Sequence, residues 1–194
     1  MTLDERAIAA VEHHSAVQSV RLVGSRADGR ASEYSDWDFR VDTDDFAAVA
    51  PAMPSLCEPL APLAQQWDRL SDTQCWMLIV LGPAKLDFIF SEPHDHEPPW
   101  QPTPTNLVAV DAHFWDWILW LTSKVAAHKA ELVRAELDKL FVHMLQPMGV
   151  ETVPQTLNDA VTRYVAARAQ LEHAFGVEVA RGLEQAVRPV VAGA

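Results

Sequence analysis

Two cysteines, seven glycines and two tyrosines in 194 residues leave little material for a disulfide-stapled or glycine-patterned architecture. Cys57 and Cys75 have neither metal-ligand spacing nor a secretory setting, so they read as buried thiols in a reducing cytoplasm. Long apolar runs are missing too. The best candidate, Phe114 to Leu121, is short and contains Asp116, which excludes a membrane-spanning helix. The opening Met1-Thr2-Leu3-Asp4-Glu5 has no basic start followed by an apolar stretch, so no secretory leader and a cytoplasmic location are expected. Positive charge is the scarcest resource: 15 Lys and Arg stand against 27 Asp and Glu, a net charge of −12.

That charge is uneven. Residues 1–110 carry 17 acidic and 7 basic side chains, a net −10, and residues 111–194 carry 10 and 8, a net −2. A protein that grips a nucleic acid backbone needs a lysine- and arginine-rich surface, because phosphate neutralisation supplies most of the affinity. This chain has the opposite field, which repels polyanions and draws in metal ions and amine-bearing small molecules; the same acidity also serves plain solubility. What the sequence has in quantity is apolar side chain, 49%, enough to fill a core and to exclude disorder.

Thr2-Leu3-Asp4-Glu5 fits a capping box, opening a helix to about His14. Val17 to Val23 reads as a short buried strand, broken at Gly24-Ser25. Trp37 to Val41 alternates with a strand period, Trp37, Phe39 and Val41 on one face and Asp36, Asp38 and Arg40 on the other. Thr43 is placed to cap a short helix through Val49. Pro51, Pro54, Pro59 and Pro62 make the next stretch irregular or loosely helical. Cys75 to Leu81 and Lys85 to Phe90 are strands about a Gly82-Pro83 turn. A proline-rich loop over 91–106 marks a boundary. Helical spacing follows in Phe114, Trp117, Ile118, Leu121 and Val125, then in Val133, Leu137, Leu140, Phe141 and Met144, with two more helices over Asn158–His173 and Val177–Val187. The expected class is α+β: a small mixed sheet with flanking helices over 1–105, followed by a helical bundle over 106–194.

Gly24 and Ser25 sit where a strand ends, and a glycine there lets backbone approach a ligand closely. Backbone N–H groups with the Ser25 hydroxyl can hold a phosphate, and Arg26 either adds a charge-assisted contact or pairs with a nearby acid. Ten residues on come Asp36 and Asp38, which a strand points the same way. Two adjacent carboxylates repel unless a cation lies between them, and magnesium, small and oxygen-seeking, is the fitting one. Asp87, alone among apolar neighbours in Lys85-Leu-Asp-Phe-Ile-Phe90, is the candidate third carboxylate, because a lone charge in such a strand is costly without a partner. Arg40 shares a face with Asp38 and either pairs with it or reaches a phosphate. Lys124 follows a tryptophan-rich helix in which Trp117 reads as core, while Trp115 or Trp120 can face a cleft and stack on a base or sugar. In Glu92-Pro-His-Asp-His-Glu97 the acids suit a cationic acceptor and Glu92 a proton-accepting role, while His94 and His96 read as loop rather than metal ligands.

Gly-Ser, ten residues, Asp-x-Asp, then a later single Asp on a strand: the pattern met by Gly24, Ser25, Asp36, Asp38 and Asp87 resembles the DNA-polymerase-β-like nucleotidyltransferase superfamily. Within it the chain is similar to the small aminoglycoside and lincosamide nucleotidyltransferases. The match is specific over 17–42, fair over 73–91 and weak beyond. The resemblance implies transfer of a nucleoside monophosphate, with ATP the usual donor, onto a hydroxyl of a small acceptor. It implies two magnesium ions held by Asp36, Asp38 and Asp87, and a nucleotide held by Gly24, Ser25, Arg26 and, from the helical half, Lys124. Relatives often share a site across a dimer, which leaves a homodimer open. Two other readings stand beside it. One is a nucleotidyltransferase acting on a partner protein (antitoxin-like) or on tRNA; the charge argues against tRNA, and the helical half against the minimal antitoxin-like enzymes. The other is a nucleotide-binding protein without catalysis, against which the three carboxylates speak.

Overall fold

The computed structural model describes residues 1–193 other than 96, 98 and 99. The class is α+β, as expected: a five-stranded mixed sheet with flanking helices, and a C-terminal helical region. The chain divides into two compact units, 1–97 and 98–194.

In the first unit, helix α1 (Leu3–Glu12) opens with the expected capping box: the Glu5 amide donates to Thr2 Oγ1 at 3.4 Å and the Thr2 amide to Glu5 Oε2 at 2.8 Å. Strand β1 (Val17–Val23) is followed by the single turn α2 (Gly24–Ala27) and strand β2 (Trp37–Thr43). Residues 46–60 are a run of short pieces: α3 (Phe46–Val49), α4 (Met53–Cys57) and two tighter 3₁₀ turns. Prolines at the first positions of those turns start helices without letting them extend. Strands β3 (Ala64–Trp67), β4 (Thr73–Val80) and β5 (Ala84–Pro93) complete a sheet of order β1-β2-β5-β4-β3. Every neighbouring pair is antiparallel except β2 and β5, which run parallel.

One face of that sheet makes the core. Val20, Phe39, Val41, Trp76, Leu78, Leu86, Phe88 and Phe90 pack with Ala7 and Val11 of α1 and with Val49, Met53 and Cys57. Phe39 stacks on Phe88 with ring centroids 5.1 Å apart. Truncating either buried ring to alanine costs roughly 3–5 kcal/mol. Because strand side chains alternate, sending Phe39, Leu86 and Phe88 into this core sends Asp38, Lys85 and Asp87 to the other face.

In the second unit, α5 (Leu107–Ala126) packs against α6 (Ala130–Leu140), α7 (Leu157–Phe175) and α8 (Gly182–Gly193), with a π-helical turn over Phe141–Leu145 after α6. Its interior holds a polar network. Asp111 accepts from Trp115 Nε1 at 3.1 Å, the Tyr164 hydroxyl at 2.6 Å and Arg168 at 2.7 Å, and Arg168 also reaches Glu184. Burial pushes the Asp111 carboxyl up, and these donors oppose the shift.

Four expectations are corrected. Thr43 ends β2 instead of capping the helix after it: its hydroxyl donates to the Ala16 carbonyl at 2.7 Å, and Asp45 is the cap, accepting from the Ala48 amide at 3.1 Å. A further strand, β3, lies in the stretch beyond the proline run. The β5 strand continues to Pro93 rather than ending at Phe90. The last helix begins at Gly182, not Val177, because Glu172 holds residues 179–181 out of helical geometry, accepting from the Val179 amide at 2.7 Å and from Arg181 at 2.6 and 2.9 Å. Among the described residues no helix is long and apolar enough to cross a membrane.

Candidate metal and nucleotide site

Parallel pairing of β2 with β5 sets Trp37 beside Leu86, Asp38 beside Asp87 and Phe39 beside Phe88. Asp38 and Asp87 therefore lie side by side on the face away from the core, and Asp36, immediately before β2, joins them. One carboxylate oxygen from each of Asp36, Asp38 and Asp87 lies within 4.8 Å of the other two. Three convergent hard oxygen donors fit a small divalent cation of the magnesium type, and they repel one another in its absence.

Gly24 adjoins this cluster. It has φ +70°, and a side chain carbon built on it would meet Asp38 Oδ2 at 2.5 Å, so both its conformation and its lack of a side chain are in use. Ser25 follows in the same turn. That turn is four residues long, so its contribution to anion binding would rest on individual backbone and hydroxyl groups rather than on a helix dipole.

The structure gives Arg26 work of its own. Its Nε donates to the carbonyls of Ser35 and Asp36, both at 3.0 Å, a terminal nitrogen donates again to Ser35, and the guanidinium carbon lies 3.9 Å from the Trp37 ring centroid. Partial burial lowers its pKa while Asp36 and Asp38 oppose the shift. Arg26 thus straps the loop 28–36 shut and fixes the backbone from which Asp36 projects. These bonds run to backbone carbonyls, while the carboxylates of Asp36 and Asp38 attract the guanidinium's charge.

Lys85 is the residue the sequence reading missed. It is buried on the same face of β5 two positions before Asp87, and its Nζ lies 2.5 Å from Asp87 Oδ1. The partner a lone buried Asp87 requires is therefore present in the chain. Burial pushes the Asp87 carboxyl up, Lys85 pulls it back, and Asp36 and Asp68 add to the rise. The signal was available: one lysine and one aspartate at period two in an otherwise apolar strand.

Other candidates are placed elsewhere. Arg40 does not pair with Asp38; it donates to Ser91 Oγ at 3.1 Å and lies 4.0 Å from Asp42. Trp115 is fully buried with its indole bound to Asp111, so it stacks on no ligand. Trp117 is buried and donates to Glu136 at 3.2 Å, as its core reading required. Lys124, in the last turn of α5 in the second unit, has its Nζ 4.6 Å from the centroid of the half-buried Trp120 ring. Glu92 is outside the carboxylate cluster. The backbone of His94 donates to the Asp72 carbonyl at 2.9 Å, tying down the loop; His96 lies outside the described residues.

No family model matches the chain, and no curated protein matches it. Among the solved structures to which the chain is similar is an aminoglycoside 6-adenyltransferase from Bacillus subtilis, aligned over 96% of this chain and 97% of that one at 9% identity, with a TM-score of 0.39. At that distance the likeness carries no argument about chemistry, which rests on the residues.

Proposed function

We propose that the protein is a magnesium-dependent nucleotidyltransferase, moving a nucleoside monophosphate, AMP from ATP, onto a hydroxyl of a small cationic acceptor of the aminoglycoside kind. The observation that carries the reading is the convergence of Asp36, Asp38 and Asp87 within 4.8 Å beside a glycine that has no room for a side chain. When bound, magnesium would neutralise the triphosphate and polarise the α-phosphate.

The chain's own residues do the rest. Asp36 and Asp38 fix the cation from a loop end and a strand. Gly24 and Ser25 bring backbone and a hydroxyl to the phosphates, and Arg26 holds Asp36 in place. Asp87, whose carboxyl burial pushes up, takes the acceptor hydroxyl's proton as that oxygen attacks the α-phosphorus and pyrophosphate leaves. The net −10 over the first 110 residues favours a cationic acceptor over tRNA.

Pyrophosphate release from ATP with magnesium, measured across aminoglycosides and lincosamides, tests this. Release should depend on one acceptor and fall at least about a thousandfold in Asp36→Asn and in Asp38→Asn, with thermal unfolding of both variants no lower than wild type. Wild-type rates in either variant would remove the carboxylates from the mechanism.

A further inference from the structure

Three carboxylates crowd the site, and the chain already supplies one of the cations that could relieve them. Lys85 is 7% exposed and bonded to Asp87 at 2.5 Å, on the same strand and the same face. Its neighbour across β4 is Ile79. Asp87 in turn pairs with Asp38 across the parallel β2–β5 seam, so Lys85 sits on β5 beside the point where the two strands bring their carboxylates together. A buried ammonium is costly, and this one is held against the carboxylate that a second divalent ion would need.

We propose that Lys85 is a built-in cation of the carboxylate cluster, occupying Asp87 in place of a second divalent ion, so that the protein itself holds one divalent ion and not two. The proposal rests on the reading of the cluster as a metal site. Three carboxylates and one ammonium leave a charge of −2, which one divalent cation neutralises. A second would have to enter beside the Lys85 ammonium, against its charge and with one Asp87 oxygen already taken. Asp36 and Asp38 remain the ligands of the single ion.

The experiment is calorimetric titration of Mn²⁺ into the nucleotide-free full chain. Wild type is expected to bind at most one ion at the cluster. Lys85→Met and Lys85→Gln, which remove the charge, should each bind Mn²⁺ at least about tenfold more tightly, and that gain should vanish when Asp87→Asn is added. Lys85→Arg, which keeps the charge, should stay near wild type. Two ions in wild type, or neutral variants that bind no more tightly, would overturn the proposal; a lysine that merely fills the strand leaves the affinity unchanged. The wild-type count stands even if one neutral variant fails to fold. Asp36→Asn separates the two readings: if it leaves Mn²⁺ binding untouched in every background, the cluster is not the metal site and the functional reading itself fails.

Discussion

Gly24 meets two demands at once, a left-handed backbone and an approach to Asp38 Oδ2 that leaves no space for a side chain. Gly29 meets only the first: its φ is +69°, and a side chain carbon there would touch nothing within 4 Å. Alanine at either position should cost roughly 1–2 kcal/mol in a denaturant titration, the penalty of left-handed backbone. Gly24→Ala alone should also weaken Mn²⁺ binding, because its methyl must push the Asp38 carboxylate aside. Equal loss of metal affinity in both variants would mean that Gly24 matters only for its backbone. At this scale the carboxylates were legible because a strand's period of two fixes which side chains share a face. Arg26 and Lys85 were not. Their partners are a backbone loop and a neighbouring carboxylate, and the sequence says which charges exist without saying which of them meet.

Among elements, the connection between α7 and α8 shows how one side chain decides where a helix starts. Glu172 takes the Val179 amide and both terminal nitrogens of Arg181, and the Arg181 bonds hold its carboxyl below the ordinary 4.5. A carboxyl depressed in the folded state stabilises it above the unfolded value, and that stability is lost as the pH falls through the folded one. Unfolding measured from about pH 6 to about pH 3 should therefore show stability falling below roughly pH 4.5, with a shallower fall in Glu172→Gln. The variant should also lose about 1–3 kcal/mol at neutral pH. An unchanged acid limb would exclude Glu172 as a contributor. The same bonds explain why apolar spacing put the helix start too early: Val177 and Val179 fit a helical pattern, and the competing hydrogen bonds come from a helix already finished. Strand β3 escaped notice for another reason. Ala64-Gln65-Gln66-Trp67 is short and polar for a strand, and it sits at the sheet edge where only β4 pairs with it.

Across the whole molecule, charge separates the candidate acceptors. The net −12 repels a phosphate backbone, so an electrophoretic assay at about 150 mM salt should show no retardation of tRNA, while a polycationic aminoglycoside binds in a salt-sensitive way. Retardation of tRNA would reopen the macromolecular reading. The class of fold was legible because periodicity changes from two to nearly four after the proline-rich stretch. The strand order was not, since nothing local in β2 names β5 as its neighbour. That one parallel pairing has a kinetic side. Asp38 and Asp87 come from strands separated in sequence by β3, β4 and the short helical turns, whereas β4 and β5 are joined by a tight turn. Closing the long crossover is the slower event in a chain of this topology, and a register slip of one residue would send Asp87 to the opposite face. A refolding chain followed by Mn²⁺ uptake should thus report the completion of its most distant strand pairing, after most of the sheet's local signal has already appeared.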